Sequence, residues 1–162
     1  MAFDAFLKID GVDGESTRKG FEKQTEIFSY SFGASNPSTV GSGGGGGGGG
    51  KVSVSSFNLM KKTDSASPLL FLACCQGDHY AKASVTLNKS AGKAPIDFVK
   101  YEFEEVYVDS IQWSGASGGD DSPMESVSFS FGKVSITYTP QKADGSKGSP
   151  AVGAWDLTLV SA

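Results

Sequence analysis

The sequence predicts a mainly β domain: antiparallel strands around an aromatic core, in a barrel or sandwich, with one short helix. Three observations predict it. The first is Met124 to Thr139, MESVSFSFGKVSITYT, where Val127, Phe129 and Phe131 alternate with Ser126, Ser128 and Ser130. That period of two is the mark of a strand with one apolar and one small polar face. The second is a change of phase inside the same stretch. After Gly132 the apolar set moves to Val134, Ile136 and Tyr138, so a bulge or bend is expected at Gly132. The third is composition: eleven Phe, five Tyr and two Trp carry the apolar content of a chain that also holds 22 glycines. Aromatic residues suit pleated strands better than helices.

Taken in order, Phe3, Ala5, Leu7 and Ile9 alternate with Asp4, Phe6 and Lys8 as a first strand, broken by Asp10-Gly11 and Asp13-Gly14. A polar loop is expected from Glu15 to Lys23. A second strand spans Thr25 to Ser35, with Phe28, Tyr30 and Phe32 on one face and Ser29 and Ser31 on the other. Asn36 to Gly50 ends in eight consecutive glycines and reads as a flexible loop with nothing to bury. A third strand begins at Val52 and Val54 and closes at Phe57 and Leu59 after another parity shift. A helix is predicted over Ser65 to Gln76. Asp64 or Ser67 would cap it, Pro68 stands in its first turn, Gly77 would end it, and Leu69, Leu72, Ala73 and Gln76 share a face with Leu70 and Cys74 alongside. At three turns it must pack on the sheet, as a plug over an open end or edge. Tyr80 to Lys89 is a fourth strand. Asp97 to Trp113 is a long strand region with phase changes near Glu104-Glu105 and Asp109-Ser110. The last strand holds Trp155, Leu157 and Leu159. The tally is about eight strands and one helix, a single domain over residues 1–162.

Composition excludes several functions. A net charge of −4 with interspersed lysines gives no basic stripe, so nucleic acid is not expected as a partner. Asp4 and Lys8 interrupt the opening apolar run, which does not read as a secretory signal, and no run is long enough to span a bilayer. Cys74 and Cys75 are adjacent, which argues against a structural disulfide between them and for folding in a reducing cytoplasm.

Candidate chemistry is sparse. Gly45 to Gly50 followed by Lys51 resembles part of a phosphate loop, but Val52 replaces the required Ser or Thr and a strand follows. His79, with Cys74, Cys75 and Asp78, lacks the spaced ligand pairs of a zinc site. No Gly-x-Ser-x-Gly elbow surrounds the serines. Glu102, Glu104 and Glu105 read as solvated strand charges, and Asp120-Asp121 lacks the ligand spacing of a calcium site. No catalytic, metal or cofactor residue is expected. A secreted lectin-like β-sandwich, stacking sugars on exposed aromatics, stands as the alternative to a structural module.

Six segments resemble the Hcp family, the haemolysin-coregulated proteins of the bacterial type VI secretion system. They are DAFLKIDGVDGES from Asp4, EIFSYSFG from Glu26, KVSVSSFNLMKKTDSASPLL from Lys51, HYAKASVTLNK from His79, EEVYVDSI from Glu104 and ESVSFSFGKVSITYTPQKADGSKG from Glu125. The resemblance implies an antiparallel two-sheet β-barrel with one short α-helix. It implies a homo-hexameric ring, rings stacked into a tube, a VgrG-type spike at the tip, a contractile sheath and effector proteins in the lumen. It also implies synthesis in the cytoplasm and export through the apparatus without a signal peptide, and no enzyme activity. Combined with the strand pattern, it makes Ser29 and Ser31 the candidate lumen positions. It makes the run Gly43, Gly44, Gly45, Gly46, Gly47, Gly48, Gly49 and Gly50 the candidate ring-stacking loop.

Overall fold

The computed structural model describes residues 2–37, 50–91, 94–119 and 121–162. Among them are nine strands and one helix: β1 (Asp4–Ile9), β2 (Thr25–Ser31), β3 (Ala34–Ser35), β4 (Ser53–Val54), β5 (Phe57–Lys62), α1 (Ser67–Gln76), β6 (His79–Ala91), β7 (Ala94–Ser114), β8 (Met124–Tyr138) and β9 (Ala151–Asp156). Every pairing is antiparallel. The main sheet runs β5-β2-β1-β6-β7-β8-β9, and an added β5–β8 pairing closes the first six strands into a barrel. A small second sheet joins β3 to β4, and the Gly50 amide bonds the Pro37 carbonyl at 3.0 Å beside it. Gly43 to Gly49 lie outside the described residues.

β8 is the strand on which closure turns. Its first half, Met124 to Phe129, pairs with β5; its second half, Lys133 to Tyr138, pairs with β9. β7 runs along the opposite edge of both halves. Val127, Phe129 and Phe131 are buried, and after Gly132 the buried residue is Val134, so the phase change stands where the sequence predicts it. β7 makes the matching switch on the same rung, with Phe103 buried before it and Val106 and Val108 after. The dihedral cost falls on Glu105, at φ 55°, and not on Gly132, which has no positive φ. Gly132 gives room: a Cβ there would meet the movable Glu105 carboxylate (Oε2) at 2.8 Å, and the stiffer Glu105 Cβ and Thr158 Cγ2 at 3.3 and 3.4 Å, so Glu105 would have to shift.

The barrel interior is filled with rings. Phe57 lies 5.2 Å from Phe129, Phe103 lies 4.7 Å from Phe131, and Tyr30 stacks on Phe57 at 5.4 Å. Such pairs add about 0.5–1.5 kcal/mol each beyond the area they bury. The Tyr30 and Tyr101 hydroxyls share a hydrogen bond at 3.1 Å. Burial, then that bond, pushes the Tyr101 phenol well above its usual range. The barrel is a packed core and not a passage.

Several expectations need correction. Phe28 does not face the core with Tyr30 and Phe32. A register shift between Ile27 and Ser29 turns it outward, where it is 56% exposed under the Lys62 ammonium at 5.6 Å. The second strand ends at Ser31, and Ala34–Ser35 belongs to the small sheet. Phe6 faces outward yet is buried, because Phe21, from the loop expected to be merely polar, stacks on it at 4.3 Å. The helix starts at Ser67 after Ala66, and no side chain caps it. It buries Leu70 and Ala73, while Leu69 and Leu72 stay about half exposed. The last strand ends at Asp156; beyond it the chain turns, and Leu159 is exposed. The predicted C-cap Gly77 holds, at φ 69°.

α1 packs against β7 where that strand has lost a neighbour, since β6 reaches only as far as the His79–Tyr107 pair. A helix over an unpaired edge removes a site for unwanted strand addition. We expect Gly132→Val to cost about 1–3 kcal/mol by overpacking, read from urea unfolding, and to disturb assembly with it. Glu105→Gly, which relieves the left-handed backbone, should not destabilise; an equal loss from both would place the constraint elsewhere.

Candidate functional site: the outer faces of the barrel

With the interior filled, the surfaces able to act lie on the outside, and strand alternation decides their chemistry. One face spans four neighbouring strands. In register, Ser31 opposes Asn58, Asn58 opposes Ser128, and Ser128 opposes Ser110; the next row is Ser29, Met60, Ser126 and Gln112. These eight side chains point away from the core and none is charged. Ser29 and Ser31 are both exposed there, on β2. The sequence separates Ser29 and Ser31 from Ser126 and Ser128 by almost a hundred positions; the β5–β8 closure brings them onto one face.

Ser130, on the same side of β8, has another task. Its hydroxyl donates to Asp109 Oδ1 at 2.9 Å, and Ser56 donates to Asp109 Oδ2 at 2.9 Å. Asp109 sits at the second register shift of β7, where the sequence expects a phase change. Its carboxylate pins the bulge to β8 and to the link before β5.

The other outer face covers β1, β6, β7, β8 and β9. Lys8, Lys82 and Lys133 stand there among Asp10, Glu102 and Glu104, over a floor that includes Ser84, Ser135 and Ala154. Lys100 pairs with Glu102 at 3.3 Å, and Glu104 lies in register between Lys82 and Lys133. Glu102 and Glu104 are therefore solvated, lysine-flanked strand charges. Among the described residues, no three His, Cys, Asp or Glu side chains gather as a metal site. His79 opens β6 and lies against Tyr107, ring centroids 5.5 Å apart. Cys74 and Cys75 are both free. Trp113 lies against Phe71 at 5.7 Å.

One constellation escaped sequence reasoning. Lys61 and Glu125 are fully buried and paired, and Lys61 Nζ also donates to Asp64 at 2.7 Å and Ser67 Oγ at 2.9 Å. Ser67 Oγ donates to Glu125 Oε1 at 2.8 Å, and Glu125 Oε2 has no hydrogen-bond partner among the described residues. Lysine, serine and carboxylate in contact have the look of catalytic machinery, but Lys61, Ser67 and Glu125 are all shut away from solvent. It ties the end of β5, the start of β8 and the first turn of α1. The only sequence signal is parity: Lys61 and Glu125 occupy inward positions on strands whose other inward residues are apolar.

The comparisons with known proteins agree with this geometry. The family model for "Type VI secretion system effector, Hcp" matches residues 6–138. Protein hcp1 of Pseudomonas aeruginosa is 38% identical over 158 residues, which is 97% of this chain and 96% of that one. This chain belongs to the Hcp family. A solved structure of a type six secretion system protein matches with a TM-score of 0.92 at 36% identity, covering 98% of each chain. Hcp1 from Salmonella typhimurium matches with a TM-score of 0.78 at 29% identity, covering 99% of this chain and 98% of that one. An Hcp protein is a structural tube component of type VI secretion and not an enzyme. The lectin-like alternative falls with that assignment. No helix among the described residues is long and apolar enough to cross a membrane.

For the buried group, we expect Lys61→Met alone to cost about 3–5 kcal/mol, because it strands the Glu125 carboxylate. Lys61→Met with Glu125→Leu should recover most of that loss in chemical denaturation. A double variant as unstable as the single one would contradict the charge argument.

Proposed function

We propose that six copies of this Hcp protein close into a ring with the uncharged serine-rich face turned inward, and that such rings stack into the secretion tube. The observation that carries this reading is the face itself. Two rows of eight uncharged side chains, five of them serines, cross four adjacent strands and are bordered by Asp109, while charges of both signs crowd the opposite side of the barrel. An uncharged polar wall holds water and binds weakly, which suits a passage that retains small folded effector proteins and later releases them. The charged side is then left for the contractile sheath, and a VgrG-type spike closes the tip.

The proposal locates the cargo contacts at Ser29 and Ser31. Ser31→Gln adds bulk on an exposed strand position and should leave ring formation and stability intact while lowering effector co-purification several-fold. Unchanged retention of a small effector by Ser31→Gln would remove β2 from the lumen. The glycine run from Gly43 to Gly50 is proposed to act in ring stacking. Shortening Gly45 to Gly50 should change tube length in electron micrographs without changing the melting temperature. A large drop in melting temperature would assign the run to the fold instead.

A further inference from the structure

We infer that neighbouring copies in the ring meet head to tail, the outer side of α1 in one copy seating on the β8–β9 wing of the next; this rests on the ring proposed above. A ring built from identical chains in one orientation needs two different surfaces that fit each other. Among the described residues, two such uncovered apolar surfaces lie at opposite ends of the longest strands.

The first is α1. The helix has no charged residue along SPLLFLACCQ, and Leu69, Phe71 and Leu72 are 45–49% exposed after Leu70 and Ala73 are buried. A helix that is apolar all round but buried on one side only has a second face to cover. The second surface is the wing formed where β8 leaves β5 and continues beside β9. Beyond Val134 the inward parity continues through Ile136 and Tyr138, but the barrel no longer covers them, and they are 37% and 49% exposed. Gly153 opposes Ile136 on β9, and a Cβ placed on it would meet no atom of the described residues within 4 Å. That leaves a flat, open shelf into which a helix side chain can enter. The outer edge of β9 pairs with no strand among the described residues, and its first four residues, Ala151 to Ala154, carry no charge to guard it. Tyr101, opposite Ile136, and Trp113, beside α1, are twelve residues apart on β7, roughly 40 Å along the strand.

Charge gives the two surfaces a direction. The last turn of α1 carries no basic residue to meet the negative end of its dipole, and Asp78 stands exposed just beyond Gly77. Burial, then the Asp78 charge, raises the Tyr80 phenol there. The loop joining β8 to β9 presents Lys142 and Lys147, both exposed, with one acid between them, Asp144, whose Oδ1 accepts from the Ser146 amide and hydroxyl; the Gln141–Lys147 bridge holds the loop in shape. A copy whose helix lies on the wing with its C-terminal end toward this loop pairs those lysines with Asp78 and the free helix carbonyls.

The test uses Leu72→Asp, which spoils the helix surface, and Gly153→Trp, which fills the shelf. Both positions are open in the single chain, so each variant should melt within a few degrees of wild type. Native mass spectrometry should find each variant alone as a monomer. An equal mixture should give a species of two chains, because one variant retains a sound wing and the other a sound helix. Either variant alone keeping the wild-type mass, or a mixture of folded variants that stays monomeric, overturns the contact while leaving the ring itself standing. Wild-type protein that is monomeric over the same concentrations would overturn the ring reading first. Should either variant fail to fold, surface charge decides: Lys142→Glu with Lys147→Glu should weaken assembly several-fold, and adding Asp78→Lys should restore it. No weakening, or no restoration, counts against the pairing.

Discussion

The structure depends on a phase change shared by two strands on one rung. At Gly132 and Glu105 both β8 and β7 switch the parity of their inward side chains, so neither turns its apolar set to water when the sheet changes partner. Without that switch, β8 could keep Val127, Phe129 and Phe131 inside or Val134 inside, but not all four. The constraint is met by sterics on one strand and by dihedral strain on the other. Gly132 has no side chain to collide with Glu105, and Glu105 takes the left-handed conformation that a glycine would hold at less cost.

From that rung the functional surfaces follow. Because β8 can leave β5, the barrel closes on six strands and the remainder of β8 carries β9 outward as a wing. Because closure sets β5 beside β8, serines distant in sequence share a face with Ser29 and Ser31. The aromatic core occupies the interior, so the protein works through its outside. The buried Lys61–Glu125 pair belongs to the same logic. It is a poor source of net stability, since desolvating both charges offsets most of their attraction, but it is demanding about geometry. It holds the β5–β8 seam to the first turn of α1.

Much of this was legible in the chain. The alternation around Gly132, the bulge near Asp109, the C-cap at Gly77 and the absence of spaced metal ligands are all local patterns, and the structure bears out the first three. What was not legible depends on neighbours far away in sequence. Phe28 follows the alternation of Tyr30 and Phe32 on paper, yet pairing with β5 inserts a bulge that turns it out. Phe6 reads as solvent-facing until Phe21 folds over it. α1 is apolar on all sides, so spacing alone could not choose between Leu70 and Leu69 as the buried position. The Lys61–Glu125 pair reads as two ordinary surface charges unless strand parity is trusted above residue type. The last strand is Ala151–Asp156, although Leu157 and Leu159 continue on paper an alternation that the turn after Asp156 interrupts. That turn is held by the Thr158 hydroxyl and amide on the Asp156 carboxylate, which those bonds, the hydroxyl's first, hold below its usual range.

In the proposed ring the uncharged rows line a channel while the core of each subunit stays closed. A cryo-electron microscopy reconstruction of the assembled protein, at a resolution that traces strands, tests it most directly. The expected map shows a six-fold ring whose central opening is bordered by β2, β5, the first half of β8 and the end of β7, with Ser29, Ser31, Asn58 and Ser126 facing the opening. A ring with this face on its outer wall or at the seam between copies would contradict the account.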